Sequence, residues 1–291
     1  MIGSIKNLKI FDVGNVFGTM NTSTIRFSNI TEEDKKMICK MHGLDKIDES
    51  YVFTSEDKKA IFMNHRIALA REYGFDYTKM FMADQKDKMG TYRVLDMDYV
   101  EAYPDGWSDI DEDILIIRDD VYGVVAGHPI ADCPVIVMED IRNGISAVCH
   151  CSAELIDKRM PMLMADALLD YAGTSDCDIS AYVSSCAGDS WTYDKIPSWM
   201  KDTDMWLNSQ GVFFDDKVHI NLRNAIRKQL AERRIEESQI LFSDVDTISN
   251  PEFYSNSASS VYGLNKPEKF GRNFTGALYQ NLKVKQKIKH L

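Results

Sequence analysis

Cys133 and His150 are the two residues whose types and spacing suggest chemistry, since they stand 17 positions apart at the ends of one hairpin-like segment. A histidine can deprotonate a neighbouring thiol, and the thiolate then attacks a carbonyl or amidine carbon. Thiolate and imidazole are also natural ligands for zinc or copper, and a catalytic metal would require a third protein ligand. A chance pairing of the two side chains within a sheet is the third interpretation.

A β-hairpin is predicted to bring these two residues together. Residues 134–138 and 145–149 are short runs rich in valine and isoleucine, and Asn143 with Gly144 is a strong turn signal. A turn centred just before Arg142 sets the thiol and the imidazole directly opposite, roughly 5 Å apart. A turn centred just after Arg142 sets them one pleat apart, at roughly 7–8 Å. Either register places them at the open end of the hairpin.

Further polar residues flank the pair. Asp132 points to the other strand face and either supports the site or stabilises the turn. His128, between glycine and proline, either orients the site, serves as a third ligand or is structural. Arg272 either holds an anion such as phosphate through its fork of donors or forms a surface salt bridge. Cys149 and Cys151 share the strand face opposite to the histidine between them, so they are predicted to be core residues rather than ligands of the same ion.

Composition restricts the class of protein. The chain has 291 residues, a net charge of -11 and a sequence pI of about 5.1, which argues against a nucleic-acid partner. No run approaches the ~20 apolar residues of a membrane span, and the first residues lack a signal-peptide core, so a cytoplasmic protein is expected. The six scattered cysteines are expected to be free thiols. The basic residues 283–290 are interpreted as a solvated tail.

The periodicity predicts a mixed α+β protein forming a single domain over residues 1–291. Its sheets are expected to be mixed and antiparallel, with helices on the outer faces. Helices are predicted from residue 31 to 43, 55 to 74, 154 to 171 and onward from Asn221. Pro161 either kinks the third helix or marks its true start. Residues 114–117 and 122–126 are predicted as a strand pair, residues 179–183 and 240–245 as strands, and residues 247–273 as a long loop.

Nine short motifs follow one another in an order and spacing that resemble a known family. They are residues 64–66, 85–87, 131–133, 147–150, 185–188, 193–194, 219–222, 253–255 and 271–272. They resemble the laccase-domain family, also called multicopper polyphenol oxidase-like and described as purine nucleoside phosphorylases. The step of 17 residues between the cysteine and the histidine is similar to the family's own.

The resemblance implies one zinc ion, copper being the less favoured metal, held by histidine, cysteine and histidine. It implies phosphorolysis of purine nucleosides, with adenosine deamination as a related activity. Carried over to this chain, Cys133 and His150 are the catalytic residues and also metal ligands. Asp87 stands where the family has its first histidine, and aspartate can ligate zinc. Arg272 is the implied substrate-binding residue.

Two departures from the family pattern keep other functions open. Glu154 and Ser257 stand where the family has arginines that hold phosphate, and a glutamate there would repel an anion. One alternative is a non-catalytic family member acting as a binding or scaffold protein. A second alternative is a metal-free cysteine–histidine hydrolase or deamidase. In each case the expected partner is a small molecule, and the protein is expected to be a monomer or a small homo-oligomer.

Overall fold

Two β-sheets face each other across a shared apolar layer in the computed structural model of this chain. The structure describes residues 2–17, 27, 30–83, 88–106, 110–188, 191–207, 217–260 and 272–279. The strands are β1 (Ile2–Ile5), β2 (Leu8–Phe17), β3 (Met80–Met82), β4 (Tyr92–Leu95), β5 (Ile114–Arg118), β6 (Val125–Ile130), β7 (Val135–Asp140), β8 (Ile145–His150), β9 (Ile179–Val183), β10 (Thr192–Tyr193), β11 (Val218–His219), β12 (Ile240–Phe242) and β13 (Arg272–Tyr279). The helices are α1 (Glu32–His42), α2 (Ser55–Tyr73), α3 (Met97–Ala102), α4 (Ala153–Asp157), α5 (Met160–Ala172), α6 (Thr203–Leu207), α7 (Leu222–Glu232) and α8 (Asn256–Ser260).

The strand order mixes near and distant parts of the chain. The first sheet has the order β1-β2-β13-β6-β3, and the second has the order β12-β9-β7-β8-β5-β4. Strands β10 and β11 form a separate antiparallel pair. Three pairings are parallel, β3 with β6, β4 with β5 and β12 with β9, and the others are antiparallel. The predicted mixed α+β class is therefore confirmed.

Alternation along each strand sends one set of side chains into the space between the sheets. The first sheet contributes Leu8, Ile10, Ala126, Ile130 and Ala277, and the second contributes Leu115, Ile117, Val135, Val137, Val148 and Tyr182. All of these side chains are buried. Any polar residue with the same alternation must therefore also point into this layer.

Helices cover the outer faces of both sheets, as predicted. On the second sheet, α4, α5 and α7 enclose a core with Cys149 and Cys151, both fully buried. On the first sheet, α2 packs through Leu69 and Tyr73. Helices α1 and α2 each begin with a threonine capping box, which explains why their starts were predictable. No helix among the described ranges is long and apolar enough to span a membrane.

The hairpin of β7 and β8 has the register of a turn centred just after Arg142. Val135 pairs with His150, and the backbone N–H of Cys151 donates to the carbonyl of Pro134 over 2.8 Å. Gly144 in the turn has φ +62°, a conformation in which glycine avoids the Cβ clash of other residues. Of the two registers considered, the one with a turn centred just after Arg142 is confirmed, and Cys133 lies two residues before β7 begins.

Four element predictions need correction. The helix predicted over residues 154–171 is two helices, α4 and α5. Arg159 between them has φ +68°, a left-handed conformation that interrupts the helix, and Pro161 lies in the first turn of α5. The runs 114–117 and 122–126 do not pair, since β5 and β6 belong to different sheets. The predicted loop 247–273 contains α8 and the start of β13. The strand predicted over residues 240–245 ends at Phe242, and residues 283–290 lie outside the described part of the chain.

Candidate functional site

His150 is the last residue of β8, and it points into the layer between the two sheets. Val148, two positions earlier on the same face, is part of that layer, whereas Cys149 faces the helices. The His150 side chain is half-buried, so solvent still reaches it from the open end of the hairpin. Burial lowers the pKa of His150 to about 4, and the positive charge of Arg272 acts in the same direction. The imidazole is therefore neutral at pH 7.

A second histidine, His128 of β6, meets His150 from the opposite sheet. The two ring centroids are 6.3 Å apart, with 37° between the ring planes. His128 is only 1% exposed, and the carbonyl of Val148 accepts a hydrogen bond from its ring. Within the described ranges, its Nε2 has no hydrogen-bond partner. Burial lowers the pKa of His128 to about 3, with a smaller contribution from His150. This pairing places His128 next to the predicted catalytic histidine.

Arg272, the first residue of β13, supplies positive charge at the same place. Its guanidinium carbon lies 5.9 Å from the centroid of the Tyr254 ring, a cation–π arrangement. Arg272 is half-buried, and its charge reaches His150. The residue predicted to bind substrate thus lies beside the predicted catalytic histidine.

Cys133 lies in the connection between β6 and β7 and is half-buried. Burial raises the pKa of its thiol to about 12, and the negative charge of Asp132 raises it further. A hydrogen bond from the backbone N–H of Ala153, at the start of α4, opposes this rise. Negative charge on Cys186 or Cys151 would also raise the pKa of the Cys133 thiol. Without a cation close by, Cys133 is therefore a protonated thiol at pH 7.

The segment that carries Cys133 is clamped by the C-terminal part of the chain. The Asp132 carboxylate accepts hydrogen bonds from the Thr247 hydroxyl at 2.9 Å and from the Ser257 backbone N–H at 2.7 Å. The Asn273 side chain donates to the carbonyls of Ala131, at 3.1 Å, and Tyr254, at 2.9 Å, and accepts from the Tyr254 N–H at 2.8 Å. These residues position the site; Asp132 and Ser257 were singled out from the sequence, whereas Thr247 and Asn273 were not.

A buried carboxylate, Asp12, completes the polar part of the layer between the sheets. It accepts hydrogen bonds from the Tyr182 hydroxyl at 2.8 Å, the Ser185 N–H at 2.8 Å, the Ser185 hydroxyl at 2.7 Å and the Thr275 hydroxyl at 3.1 Å. Thr275 lies opposite both Asp12 and His128 in the sheet register. One row across β2, β13 and β6 therefore ties the carboxylate to the strand that carries the second histidine.

The other predicted positions have different outcomes. Asp87, the predicted third metal ligand, lies outside the described residues. Glu154 is exposed and forms a 2.8 Å ion pair with Lys158, one turn further along the helical segment. Cys149 and Cys151 are fully buried beneath the helices, as predicted. His65, from the motif at residues 64–66, bonds to the buried carboxylate of Asp34 at 3.0 Å and is a packing residue.

The donor set suits a zinc-type ion, although its arrangement is incomplete in the part of the chain that is described. Within these ranges no three His, Cys, Asp or Glu side chains are grouped as a ready-made metal site. The neutral imidazoles of His128 and His150 nevertheless lie next to each other, and Nε2 of the buried His128 has no hydrogen-bond partner within the described ranges. Cys133 lies just before β7, the strand that pairs with His150. Imidazole and thiolate are the ligand types that zinc and copper prefer. The residues present therefore fit such an ion.

Comparisons with known proteins give a consistent picture. A family model described as multi-copper polyphenol oxidoreductase laccase matches residues 49–273. A curated protein named adenosine deaminase RL5, from an unknown prokaryotic organism, is 28% identical over 223 residues, which is 74% of this chain and 80% of that protein. The resemblance stated from short motifs is thereby confirmed at the level of the family.

Solved structures with the same fold include two bacterial proteins. The hypothetical protein YfiH of Bacillus licheniformis superposes with a TM-score of 0.62 at 16% identity, covering 76% of this chain and 82% of its own. YlmD of Geobacillus stearothermophilus gives a TM-score of 0.61 at 16% identity, covering 77% and 82%. At these identities the likeness concerns the fold alone.

Proposed function

Because this chain belongs to the multi-copper polyphenol oxidoreductase laccase family, whose model matches residues 49–273, we propose that it is a zinc-dependent enzyme acting on purine nucleosides. The proposed reaction is phosphorolysis or deamination of a small nucleoside substrate. The proposed metal ligands are Asp87, Cys133 and His150, and Arg272 binds the anionic part of the substrates. The adenosine deaminase named among its relatives supports the substrate class.

The observation that carries this proposal is the neutral imidazole of His150 beside the permanent charge of Arg272. Burial and that charge hold the pKa of His150 at about 4, so the ring is uncharged at neutral pH. A neutral ring is the form of histidine that binds metal. The same site therefore offers a metal-binding nitrogen and an anion-binding cation.

Arg272 is suited to hold phosphate, the co-substrate of phosphorolysis. Its guanidinium presents several donors in a rigid fork and stays charged at every relevant pH. The Tyr254 ring, at 5.9 Å, restricts where that fork can lie. Glu154 is directed to Lys158 and solvent, so it repels an anion at this site less than its place in the sequence suggested.

A cation would change the chemistry of Cys133 in particular. Its pKa of about 12 leaves the thiol protonated in the free protein, while a metal ligand must be a thiolate. When bound, zinc supplies Lewis acidity and stabilises negative charge that develops on the substrate. The protein's own contribution is to hold the imidazoles neutral, to bind the anion through Arg272 and to fix Cys133 against the N–H of Ala153.

The metal-free hydrolase or deamidase is the less favoured alternative. A nucleophilic cysteine needs a lowered pKa or a base at hydrogen-bond distance. The pKa of Cys133 is instead raised by burial and by Asp132. His150, with a pKa of about 4, is also a weak base for this task.

A non-catalytic binding or scaffold protein is the second candidate, and Ser257 favours it. Where the resemblance implies an arginine, Ser257 is buried and donates its backbone N–H to Asp132. A buried serine side chain carries no positive charge, so it cannot hold phosphate as an arginine at that position would.

The experiment combines metal analysis with turnover. We expect protein purified without chelator to contain about one zinc per chain. Chromatography should then show either phosphate-dependent release of the base from adenosine or inosine, or conversion of adenosine to inosine with release of ammonia. Cys133→Ala and His150→Gln should abolish both. Arg272→Gln should keep the zinc and raise the KM for phosphate at least about tenfold, while Arg142→Gln, an exposed arginine paired with Asp176, serves as the matched control.

Zinc without turnover of any nucleoside would favour the binding or scaffold protein. Turnover that persists after zinc is removed and that is lost in Cys133→Ala would favour the hydrolase. The proposed reaction takes place in a reducing compartment such as the cytoplasm, in keeping with the six free cysteines.

A further inference from the structure

We propose that His128 is a ligand of the zinc-type ion, binding through Nε2 and sharing that ion with His150. This inference rests on the proposed metal site and adds to it a residue from the opposite sheet. The chemical class of the ligand is a divalent transition metal that accepts imidazole nitrogen.

The first argument is the hydrogen bonding of the His128 ring. The carbonyl of Val148 accepts from one ring nitrogen, and Nε2 has no partner within the described ranges. The proton therefore lies on Nδ1, and Nε2 carries an unused lone pair. A metal-binding histidine typically has this arrangement, donating through one nitrogen to a carbonyl while the other faces the ion.

The second argument is burial. His128 is 1% exposed, and a buried polar atom with no partner is destabilising unless something binds it. The neighbouring residues on the same face of β6, Ala126 and Ile130, are apolar, and the Thr275 hydroxyl across the sheet register donates to Asp12 rather than to the ring. A simple core position would suit leucine or phenylalanine better than an imidazole with a free nitrogen.

The third argument is the distance between the two rings. A zinc–nitrogen bond is about 2.0–2.1 Å, which puts the ion about 3.2 Å from the centre of each imidazole that binds it. At the tetrahedral angle, two rings on one ion have centroids about 5.2 Å apart, and at most about 6.5 Å if the rings lie on opposite sides of the ion. The centroids of His128 and His150 are 6.3 Å apart, so the two rings must approach each other by about 1 Å before one tetrahedral ion binds both.

Further donors are available on the connection that begins where β6 ends. Cys133 follows His128 by five residues and lies just before β7, the strand that pairs with His150. Three protein ligands with an open fourth position are typical of catalytic zinc. Two imidazoles and a thiolate would thus make up such a set of three before Asp87 is counted.

The test measures metal binding rather than activity. Chelator-treated wild-type protein, His128→Gln and the control His42→Gln are titrated with zinc by calorimetry, and with cobalt by visible spectroscopy. His42 bonds to Asp57 at 2.6 Å, far along the chain from the site, so the control removes an imidazole by the same substitution. Melting curves of the metal-free proteins check folding, and His128→Cys tests whether another zinc ligand restores binding.

We expect His128→Gln to weaken zinc binding by at least about 100-fold and to shift the cobalt absorption bands. Loss of a residue that only hydrogen-bonds to a metal ligand would weaken binding by about 10–100-fold. His42→Gln should match wild type, and His128→Cys should recover part of the affinity. Wild-type affinity and an unchanged cobalt spectrum in His128→Gln would overturn the inference. If His128→Gln keeps wild-type affinity while Cys133→Ala and His150→Gln lose zinc binding, the inference about His128 fails and the proposed function still stands. If the wild-type protein binds no zinc, both fail.

Discussion

The carboxylate of Asp132 accepts the backbone N–H of Ser257 across a sequence separation of 125 residues. Asp132 stands directly before Cys133, so this single contact links the candidate site to the C-terminal part of the chain. The same carboxylate accepts the Thr247 hydroxyl. Asp132, which the sequence suggested as support either for the site or for the turn, is therefore part of what positions the thiol.

Asp132→Asn should destabilise the protein and loosen the site. The amide has one acceptor oxygen where the carboxylate has two, so one of the two donors loses its partner, at roughly 1–3 kcal/mol. Urea unfolding measures the loss, and we expect zinc affinity to fall as well. Asp120→Asn, at an exposed pair with Arg118, should change the free energy of unfolding by less than about 0.5 kcal/mol. Equal effects of the two substitutions would contradict this assignment.

Gly127→Ala should be costly because the backbone of the histidine strand approaches Phe274 closely. A Cβ at Gly127 would lie 2.4 Å from the end of the Phe274 ring and 2.8 Å from the carbonyl of Thr275. We expect a loss of roughly 1–3 kcal/mol in the free energy of unfolding. Combining it with Phe274→Leu should cost less than the two single changes together, by at least about 0.5 kcal/mol. Strictly additive losses would mean that the ring is not the obstacle.

The metal-free protein should lose stability as pH falls from about 6.5 toward 4. His128 and His150 have folded-state pKa values of about 3 and about 4, below the ordinary histidine value of about 6.5. The unfolded chain therefore binds protons in this window while the folded chain does not, which favours unfolding. Each such group contributes up to about 1.4 kcal/mol per pH unit, less for the half-buried His150. His128→Gln should flatten the pH dependence between 6.5 and 5, measured by urea unfolding at each pH. A slope identical to wild type would show that His128 takes up its proton in both states.

Cys133 should react slowly with iodoacetamide in the metal-free protein at neutral pH. A pKa of about 12 instead of 9.0 means about 1,000-fold less thiolate. Mass spectrometry of the alkylated peptide gives the rate, with glutathione as the reference. In denaturant Cys133 should label at an ordinary rate, since burial and Asp132 no longer act on it. Labelling faster than glutathione in the native state would instead support the nucleophilic interpretation.

The local parts of the site were predictable from the sequence, and the long-range parts were not. The hairpin of β7 and β8 follows from its two short apolar runs and from Asn143 with Gly144, and one of the two considered registers is observed. The helix starts at Thr31, Thr54 and Asn221 follow from side chains that cap the backbone.

Strand β13 was missed because its sequence carries a weak signal. Gly276 interrupts its apolar run, and it follows a long segment rich in serine and asparagine, so the start of it was interpreted as loop. The pairing of β5 with β8 rather than β6 was also hidden, since alternation tells which face is buried but not which sheet a strand joins. His128 shows the same limit, because its partner His150 belongs to another sheet.

The position of β13 between β2 and β6 has a consequence for how the protein is made. The N-terminal strands β1 and β2 reach the rest of the first sheet only through a strand near the C-terminus. During synthesis from the N-terminus, Cys133, His128 and His150 emerge long before Arg272 and Asn273. A ribosome-bound chain therefore carries this cysteine and these histidines before it has β13, and the candidate site can be completed only after that strand has been synthesised.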